Sequence, residues 1–504
     1  MMHSVSLFSL WVAPALALAP AATPLSASIT GRADPLIQCL SSSLSPNGSI
    51  IFPDQPLFTV DTARYSELYA PTFRLISKVE NEHDVRVSIQ CAKSTNTTFL
   101  LTGPRHGFYQ GFQKIRAGLE IDTSAFNEVT IDPEANTLTC GGATIFQQVI
   151  DVAYAAKKDM PTGSGSCVGV LGAGVGAGIG RLEGLYGLII DSLLSVRIML
   201  PNTTVVEAST EQNPDLFWGI RGAGWNFGFI LNATFRVYDQ VPNGLHLNAD
   251  LIYPSNITES FYEILRQEAP HMPAPLSLAS GLAWNPAYND TTLTINAVYA
   301  GPEREGRAAI QFLLDQGPIL RQNITMVPWN QLIPATFFGA GADPTCSLGG
   351  VRKSVLSSAF NVIDPKAQVA ITEMFKEMVI RYPQTGDSGL ALYFPATQAA
   401  RAISSNETAY AWRDVLGHMN FEIVYSDNTT TDATIDYIPE KMRDTIAATA
   451  GTDGLQVYVG FSHGDEPLES IFAKDKLPHL AALKKQYDPE GLFNAYHPLP
   501  TVYP

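Results

Sequence analysis

Residues Gly163–Gly180 read GSGSCVGVLGAGVGAGIG, with glycine at 163, 165, 169, 172, 174, 176, 178 and 180. Ordering so much glycine is entropically costly. Such a run is used where the backbone must pass very close to another body, and its N–H groups suit a phosphate. Val168, Val170, Leu171, Val175 and Ile179 lie between the glycines and favour burial, unlike the polar residues of a flexible linker. No Lys-Ser or Lys-Thr follows, so the run is not a P-loop. The G-x-G-x-x-G spacing is missing; only an Ala-ended variant, Gly172 to Ala177, occurs, with no strand-to-helix pattern around it. The reading is a buried cradle for a phosphate-bearing cofactor, and a poor dinucleotide fingerprint.

The rest of the chain sets the context. Its 504 residues suffice for two ordinary domains, and 45% apolar against 16% charged residues fits a sizeable core. A formal net charge of −16 argues against nucleic acid, which is bound mainly through Lys and Arg. Residues 1–22 read as a signal peptide: no Asp, Glu, Lys or Arg occurs before Arg32, and an apolar stretch from Leu7 runs into Ala15, Ala17, Ala19, Ala21 and Ala22. Pro14 and Pro20 leave that stretch short of a membrane span, and no later segment supplies one. Glycosylation sequons begin at Asn47, Asn96, Asn202, Asn232, Asn256, Asn289, Asn323, Asn406 and Asn428, which also predicts secretion. Of the five cysteines, Cys39 and Cys91 are the expected disulfide, and Cys140, Cys167 and Cys346 are left. No Cys/His cluster has metal-ligand spacing, so no metal is expected.

Patterning predicts a helix from Asn81, strands at Thr98–Leu101, Leu119–Asp122 and Val129–Thr139, and a helix over Ile145–Lys157 ahead of the glycine run. Strands follow at Leu188–Leu200, Thr203–Ala208 and Phe229–Tyr238, and Val241-Pro-Asn-Gly244 breaks the pattern. Beyond it, strands (279–284, 292–299, 419–425, 455–461) alternate with helices (303–316, 369–381, 439–450), and a last helix covers 477–487.

Five segments, in order, carry a family resemblance. They are Thr102-Gly-Pro-Arg-His-Gly107, the glycine run, Gly187-Leu-Ile-Ile-Asp191, the stretch Asp215–Gly228 (DLFWGIRGAGWNFG), and Tyr487–Asn494 (YDPEGLFN). Together they resemble the flavoprotein oxidoreductases of the vanillyl-alcohol oxidase / p-cresol methylhydroxylase (PCMH) superfamily, berberine-bridge-enzyme-like branch, and secreted fungal secondary-metabolism members in particular. The resemblance implies an α+β fold: a PCMH-type FAD-binding domain at 60–240, an inserted substrate domain at 245–460 of antiparallel sheet flanked by helices, and a tail, 461–504, returning to the FAD domain. It also implies that Gly163, Gly169, Gly172, Gly174, Gly176 and Gly178 wrap FAD, and that His106, presented by Arg105, bonds the flavin 8α-methyl. Relatives that add a cysteine link carry it three residues before the Val-Gly of the run, where this chain has Gly165; Cys167 is out of register. One covalent link, through His106 only, is therefore expected, with Cys167 a small buried apolar residue. Asp191, Arg221, Asn226 and Asn494 are polar groups in apolar or glycine-rich surroundings, able either to contact FAD or to satisfy buried backbone.

The resemblance places a catalytic base on a strand of the substrate domain. In His418–Tyr425, alternation puts His418, Asn420 and Glu422 on one face, as either a site or the solvated face of an edge strand. Where relatives have Tyr-x-Asn-Tyr, this chain has Tyr458-Val-Gly460-Phe461, which keeps Tyr458 and loses the second tyrosine. The expected function is a secreted FAD-dependent oxidase of a small, largely apolar metabolite, with O2 as acceptor. The alternatives are a flavoprotein cyclase or isomerase and a non-catalytic secreted flavoprotein. Substrate identity and oligomeric state are not legible.

Overall fold

The computed structural model describes residues 34–341, 346–426 and 432–504; the expected signal peptide and Asn428 lie outside them. Among the described residues, four sheets organise the fold. The first holds β1 (Ser49–Ile51), β2 (Phe73–Lys78), β3 (Phe99–Thr102) and β4 (Gly118–Asp122) in the order β1-β2-β4-β3. Here β4 runs parallel to β2 and β3, and helix Glu82–Ser94 makes the crossover that parallel strands require. Asn81 caps that helix, its side chain accepting from Asp84 N.

The second sheet is antiparallel: β5 (Val129–Asp132), β6 (Thr137–Gly141), β8 (Leu193–Met199), β9 (Val205–Ser209) and β10 (Phe229–Arg236), ordered β5-β6-β10-β8-β9. A two-stranded pair joins β7 (Lys158–Asp159) to β11 (Tyr238–Asp239). The third large sheet comprises β12 (Leu245–Pro254), β13 (Leu276–Asn285), β14 (Asp290–Tyr299), β15 (Arg321–Pro328), β16 (Arg352–Phe360), β17 (Gly389–Pro395) and β18 (Gly417–Tyr425), ordered β15-β12-β14-β13-β17-β18-β16. One of its faces buries Leu251, Leu293, Leu282, Phe421 and Leu356 together with Phe261, Phe375 and Met442 from helices Thr258–Glu268, Pro365–Arg381 and Asp432–Ala447. Its other face is left for polar groups.

The C-terminal tail folds back onto the first half. Leu477, Leu480 and Leu483 of helix Leu477–Tyr487 join the core around the glycine run. The Lys484 ammonium donates to the Asn226 carbonyl (3.0 Å), the Phe493 carbonyl (3.0 Å) and the Asp488 carboxylate (2.7 Å). The Asn226 side chain accepts from Leu499 N at 2.9 Å and donates to the His497 carbonyl at 3.2 Å.

Five expectations need correction. The strand expected over Val129–Thr139 is a hairpin of two, Val129–Asp132 and Thr137–Gly141, paired antiparallel. The strand beginning at Leu188 starts at Leu193, because Ile189–Ser192 forms a helical turn whose Asp191 carboxylate accepts from Leu188 N. Residues 455–461 form no strand: Phe461 N returns to Tyr458 O, closing a 3₁₀ turn over Val459–Phe461. The helix expected over 303–316 is two, Glu303–Ala309 and Gln311–Leu314. Cys167 is not a free apolar residue; it is bonded to Cys346, beside the expected Cys39–Cys91 bridge, and Cys140 is the buried free thiol.

Candidate active site

The glycine run, the 102–108 loop and the polar face of the seven-stranded sheet enclose a cavity of about 490 Å³. Gly163, Gly165, Gly169 and Gly172 of the run line it. A Cβ on Gly172 would meet nothing within 4 Å, so this part of the run faces open space. Other glycines of the run serve the protein itself. A Cβ on Gly176 would stand 2.7 Å from Trp225 and Val459, one on Gly174 3.1 Å from Ile189, and Gly178 takes a left-handed φ of +76° against Ile189. Gly172 thus marks a cavity edge of the run, and Gly174, Gly176 and Gly178 mark a packed edge.

The loop bearing His106 is locked from both sides. Arg105 adopts φ +63°, its guanidinium donates to the Asp61 carbonyl, and its own carbonyl accepts from Tyr65 N. Gly169 lets the run close on Pro104, where a Cβ would stand 3.2 Å from the proline ring. His106 is thereby presented to the cavity. Burial, helped by the positive Lys353, holds its imidazole down at about 4, so it is neutral at physiological pH with a free nitrogen lone pair.

Facing it on β18 is Glu422. Its carboxylate accepts from the Tyr65 hydroxyl at 2.6 Å and lies 3.5 Å from the Lys353 ammonium, which sits 3.4 Å from the centre of the Tyr65 ring. Tyr65 is in turn 5.1 Å from the His106 ring, centre to centre. Burial, then the Glu422 charge, pushes the Tyr65 phenol far above its ordinary value, so it remains a donor. Burial lowers the Lys353 ammonium, against the pull of Glu422. The strand is not an edge: β18 lies between β17 and β16, so its polar face meets the cavity and not bulk solvent.

The other expected residues divide. Asn420 lines the cavity, as does Tyr458, whose hydroxyl reaches the Ala173 carbonyl at 3.4 Å and whose phenol burial raises to about 12. His418 lies behind Tyr458, 5.6 Å ring to ring, in a small cleft with Glu183, Tyr410 and Arg413; burial holds it neutral, near 4. Asp191 is away from the cavity, in a bidentate ion pair with Arg413 (2.7 and 3.0 Å), both side chains almost fully buried. Arg221 donates to the Glu407 carbonyl, Asn226 holds the tail as described, and Asn494 is exposed beyond the cavity lining. Sequence reasoning missed Tyr65, Lys353, Tyr393 and Arg181. Only Arg181, the first charge after the glycine run, carried a local signal.

Comparison with known proteins agrees with this geometry. Residues 73–209 match the FAD binding domain family. The FAD-linked oxidoreductase azaL of Aspergillus niger is 36% identical over 453 residues, 88% of this chain and 94% of that protein. The BBE-like 1 protein of Physcomitrella patens superposes with a TM-score of 0.82 at 20% identity, covering 93% of this chain and 100% of that one. Glucooligosaccharide oxidase of Acremonium strictum, described with 6-S-cysteinyl, 8α-N1-histidyl FAD, superposes at 0.80 with 19% identity and the same two coverages. With the inserted antiparallel sheet, the glycine cradle and these relatives in view, the chain belongs to the FAD-linked oxidoreductases, and it shares the fold of the BBE-like 1 protein.

Proposed function

We propose that this enzyme is a secreted oxidase that removes two electrons from a small, largely apolar secondary metabolite, with O2 as acceptor and FAD held covalently through His106 alone. The observation that carries the reading is the convergence on one cavity of a glycine edge, a neutral histidine and a carboxylate held by a phenol and an ammonium. The residues suit FAD: Gly163, Gly165, Gly169 and Gly172 offer a backbone surface free of side chains, and the open space beside Gly172 is what a cradle requires. Bound FAD would supply two-electron acceptance beyond the reach of side chains. The segments 60–240 and 461–504 would hold it, and 245–460 would supply the substrate wall.

His106 is suited to attachment because its imidazole is neutral and its loop is fixed. Gly165, where a linking cysteine would have to stand, has no side chain, and Cys167 is engaged with Cys346, which supports a single link. Glu422 is the base: its carboxylate can take the proton of a substrate hydroxyl or C–H, while Tyr65 and Lys353 orient it. Phe108, Phe461 and Tyr393 make the substrate wall largely apolar and keep water from the reacting carbon. Secretion is supported by the sequons: of the eight described asparagines, all but the half-buried Asn232 are exposed. Among the described residues no helix is long and apolar enough to cross a membrane, and no group of side chains could hold a metal.

The test is to supply the purified protein with candidate metabolites and measure H2O2 together with product mass. A product lighter by two hydrogens supports the oxidase; an isobaric product without H2O2 contradicts it and assigns a cyclase or isomerase.

A further inference from the structure

Glycine weakens the interior of a strand and calls for a reason there: a conformation only glycine adopts, or another body close to the backbone. Gly281 on β13 and Gly389 on β17 sit in internal strands of the seven-stranded sheet, and neither takes a left-handed φ. Packing does not require them either. Among the described residues, chain neighbours aside, a Cβ on Gly281 would meet only the carbonyl oxygens of Leu390 and Thr294, both at 3.6 Å. One on Gly389 would meet only that of Leu282, at 3.8 Å. All three belong to adjacent strands of the same sheet, at ordinary contact distance. Among the described residues no second layer of protein presses on either glycine.

The register shows what surrounds them. Gly281 pairs with Ala391 and Ala283 with Gly389, while β18 sets Asn420 opposite Ala391 and Glu422 opposite Gly389. Directly opposed residues share a face, so four small residues lie side by side next to two polar ones. All four are partly exposed, whereas Leu282, Leu390 and Leu392 between them are buried on the other face. The patch continues the cavity, which Asn420 and Glu422 line. Asn420 is only 8% exposed, yet its Oδ1 has no hydrogen-bond partner. Its cross-strand neighbours do not supply one: Ala391 has no polar side chain, and the Ser357 Oγ on β16 is itself buried and unpartnered. A buried amide oxygen left unpaired is costly, so the patch calls for a guest with a hydrogen-bond donor at its edge.

We propose that Gly281, Ala283, Gly389 and Ala391 form a platform for a flat, fused-ring part of the substrate, whose edge hydroxyl donates to Asn420 while the reacting group meets Glu422. This rests on the oxidase reading above, which gives Glu422 the proton to be taken. With strands about 4.8 Å apart and like-facing residues roughly 7 Å apart, the platform reaches about 10 Å from β18 and is about 7 Å deep. Fused rings lying flat on it contact backbone that any larger side chain would cover. A puckered ring touches the same surface at fewer points and forfeits dispersion contacts. The substrate class is a planar, hydroxylated polycyclic compound, and Gly281 and Ala391 determine that specificity.

The test compares 2-naphthalenemethanol with its decahydro derivative, the same carbon skeleton in puckered form. Both are dialysed to equilibrium against the purified holoprotein, with flavin absorbance recorded in parallel. The flat probe should bind at least about fivefold tighter, although the puckered one is the more apolar. Gly281→Val should abolish that preference and also raise the urea midpoint, because a strand-favouring side chain would enter open space. Ala391→Val should lower the preference. A second hydroxyl, in 6-hydroxy-2-naphthalenemethanol, should tighten binding a few-fold in the wild type and not in Asn420→Ala. Equal binding of flat and puckered probes, a preference that survives Gly281→Val, or no gain from the second hydroxyl overturns the platform. So does a Gly281→Val protein that is less stable or insoluble, since the glycine would then serve packing. Wild-type protein that prefers the flat probe yet carries no flavin removes the oxidase reading and leaves the platform standing.

Discussion

The two edges of the glycine run make a sharp prediction, because the same substitution should do opposite things four residues apart. In Gly176→Ala the new methyl would stand 2.7 Å from Trp225 Cη2 and 2.7 Å from Val459 Cγ1, where ordinary carbon contacts are about 3.5–4.0 Å. Val459 is buried, so the neighbours cannot simply swing away, and overpacking of this kind costs about 1–3 kcal/mol. In Gly172→Ala the methyl meets nothing within 4 Å, and the residue lies in the short helix Val170–Gly174. Replacing glycine by alanine in a helix then stabilises the apoprotein by about 0.5–1 kcal/mol. The two variants should differ by roughly 1.5–4 kcal/mol. Urea unfolding of apoprotein, followed by tryptophan fluorescence in a His106→Ala background, reads this directly. In the same His106→Ala background, where no covalent bond would hold the cofactor, flavin retained after desalting should follow the other order, with Gly172→Ala losing more because its methyl enters the cradle. Equal destabilisation by both substitutions, or full flavin retention in Gly172→Ala, would refute the two-edge account.

Three further outcomes follow from other parts of the structure. Glu422→Gln should lower turnover about 10²–10⁴-fold with flavin content unchanged, and Tyr65→Phe by less, measured by oxygen uptake. Asp191→Asn strands the Arg413 charge and should destabilise the protein by about 3–5 kcal/mol in thermal or urea unfolding. Glu183 beside it is raised to about 8, by burial first and then by Asp191. Its stabilising effect is full below the unfolded carboxyl range and is lost as pH rises through that value; in Asp191→Asn the loss should move to lower pH. Cys346→Ser removes a bridge joining positions 179 residues apart and should cost roughly 2–5 kcal/mol, with non-reducing peptide mapping of the wild type linking Cys167 to Cys346.

What the sequence disclosed and what it withheld divide along physical lines. The glycine run, the loop before His106 and the cap at Asn81 are local signals, and the structure bears out the elements they mark. The polar alternation of His418, Asn420 and Glu422 was also legible, but its meaning was not. Only the strand order shows β18 to be internal, and only the packing of Tyr458 sends His418 to a different cleft from Glu422. Tyr65 and Lys353 meet Glu422 across 357 and 69 positions of chain, with no motif around either to announce it. The Cys167–Cys346 bridge was invisible for the same reason. Asp191 looked like a cofactor contact because a lone carboxylate among apolar residues needs a partner; its partner, Arg413, lies 222 positions away.

The central claim is a flavin attached at one point, and acid precipitation tests it most directly. Purified wild-type protein should show flavin absorbance, and the colour should stay with the denatured pellet, with the mass of a single flavin adduct on the peptide that contains His106. His106→Ala should release all of it to the supernatant. Wild-type protein without flavin absorbance, colour that leaves the pellet, or an adduct on any other residue would contradict the account.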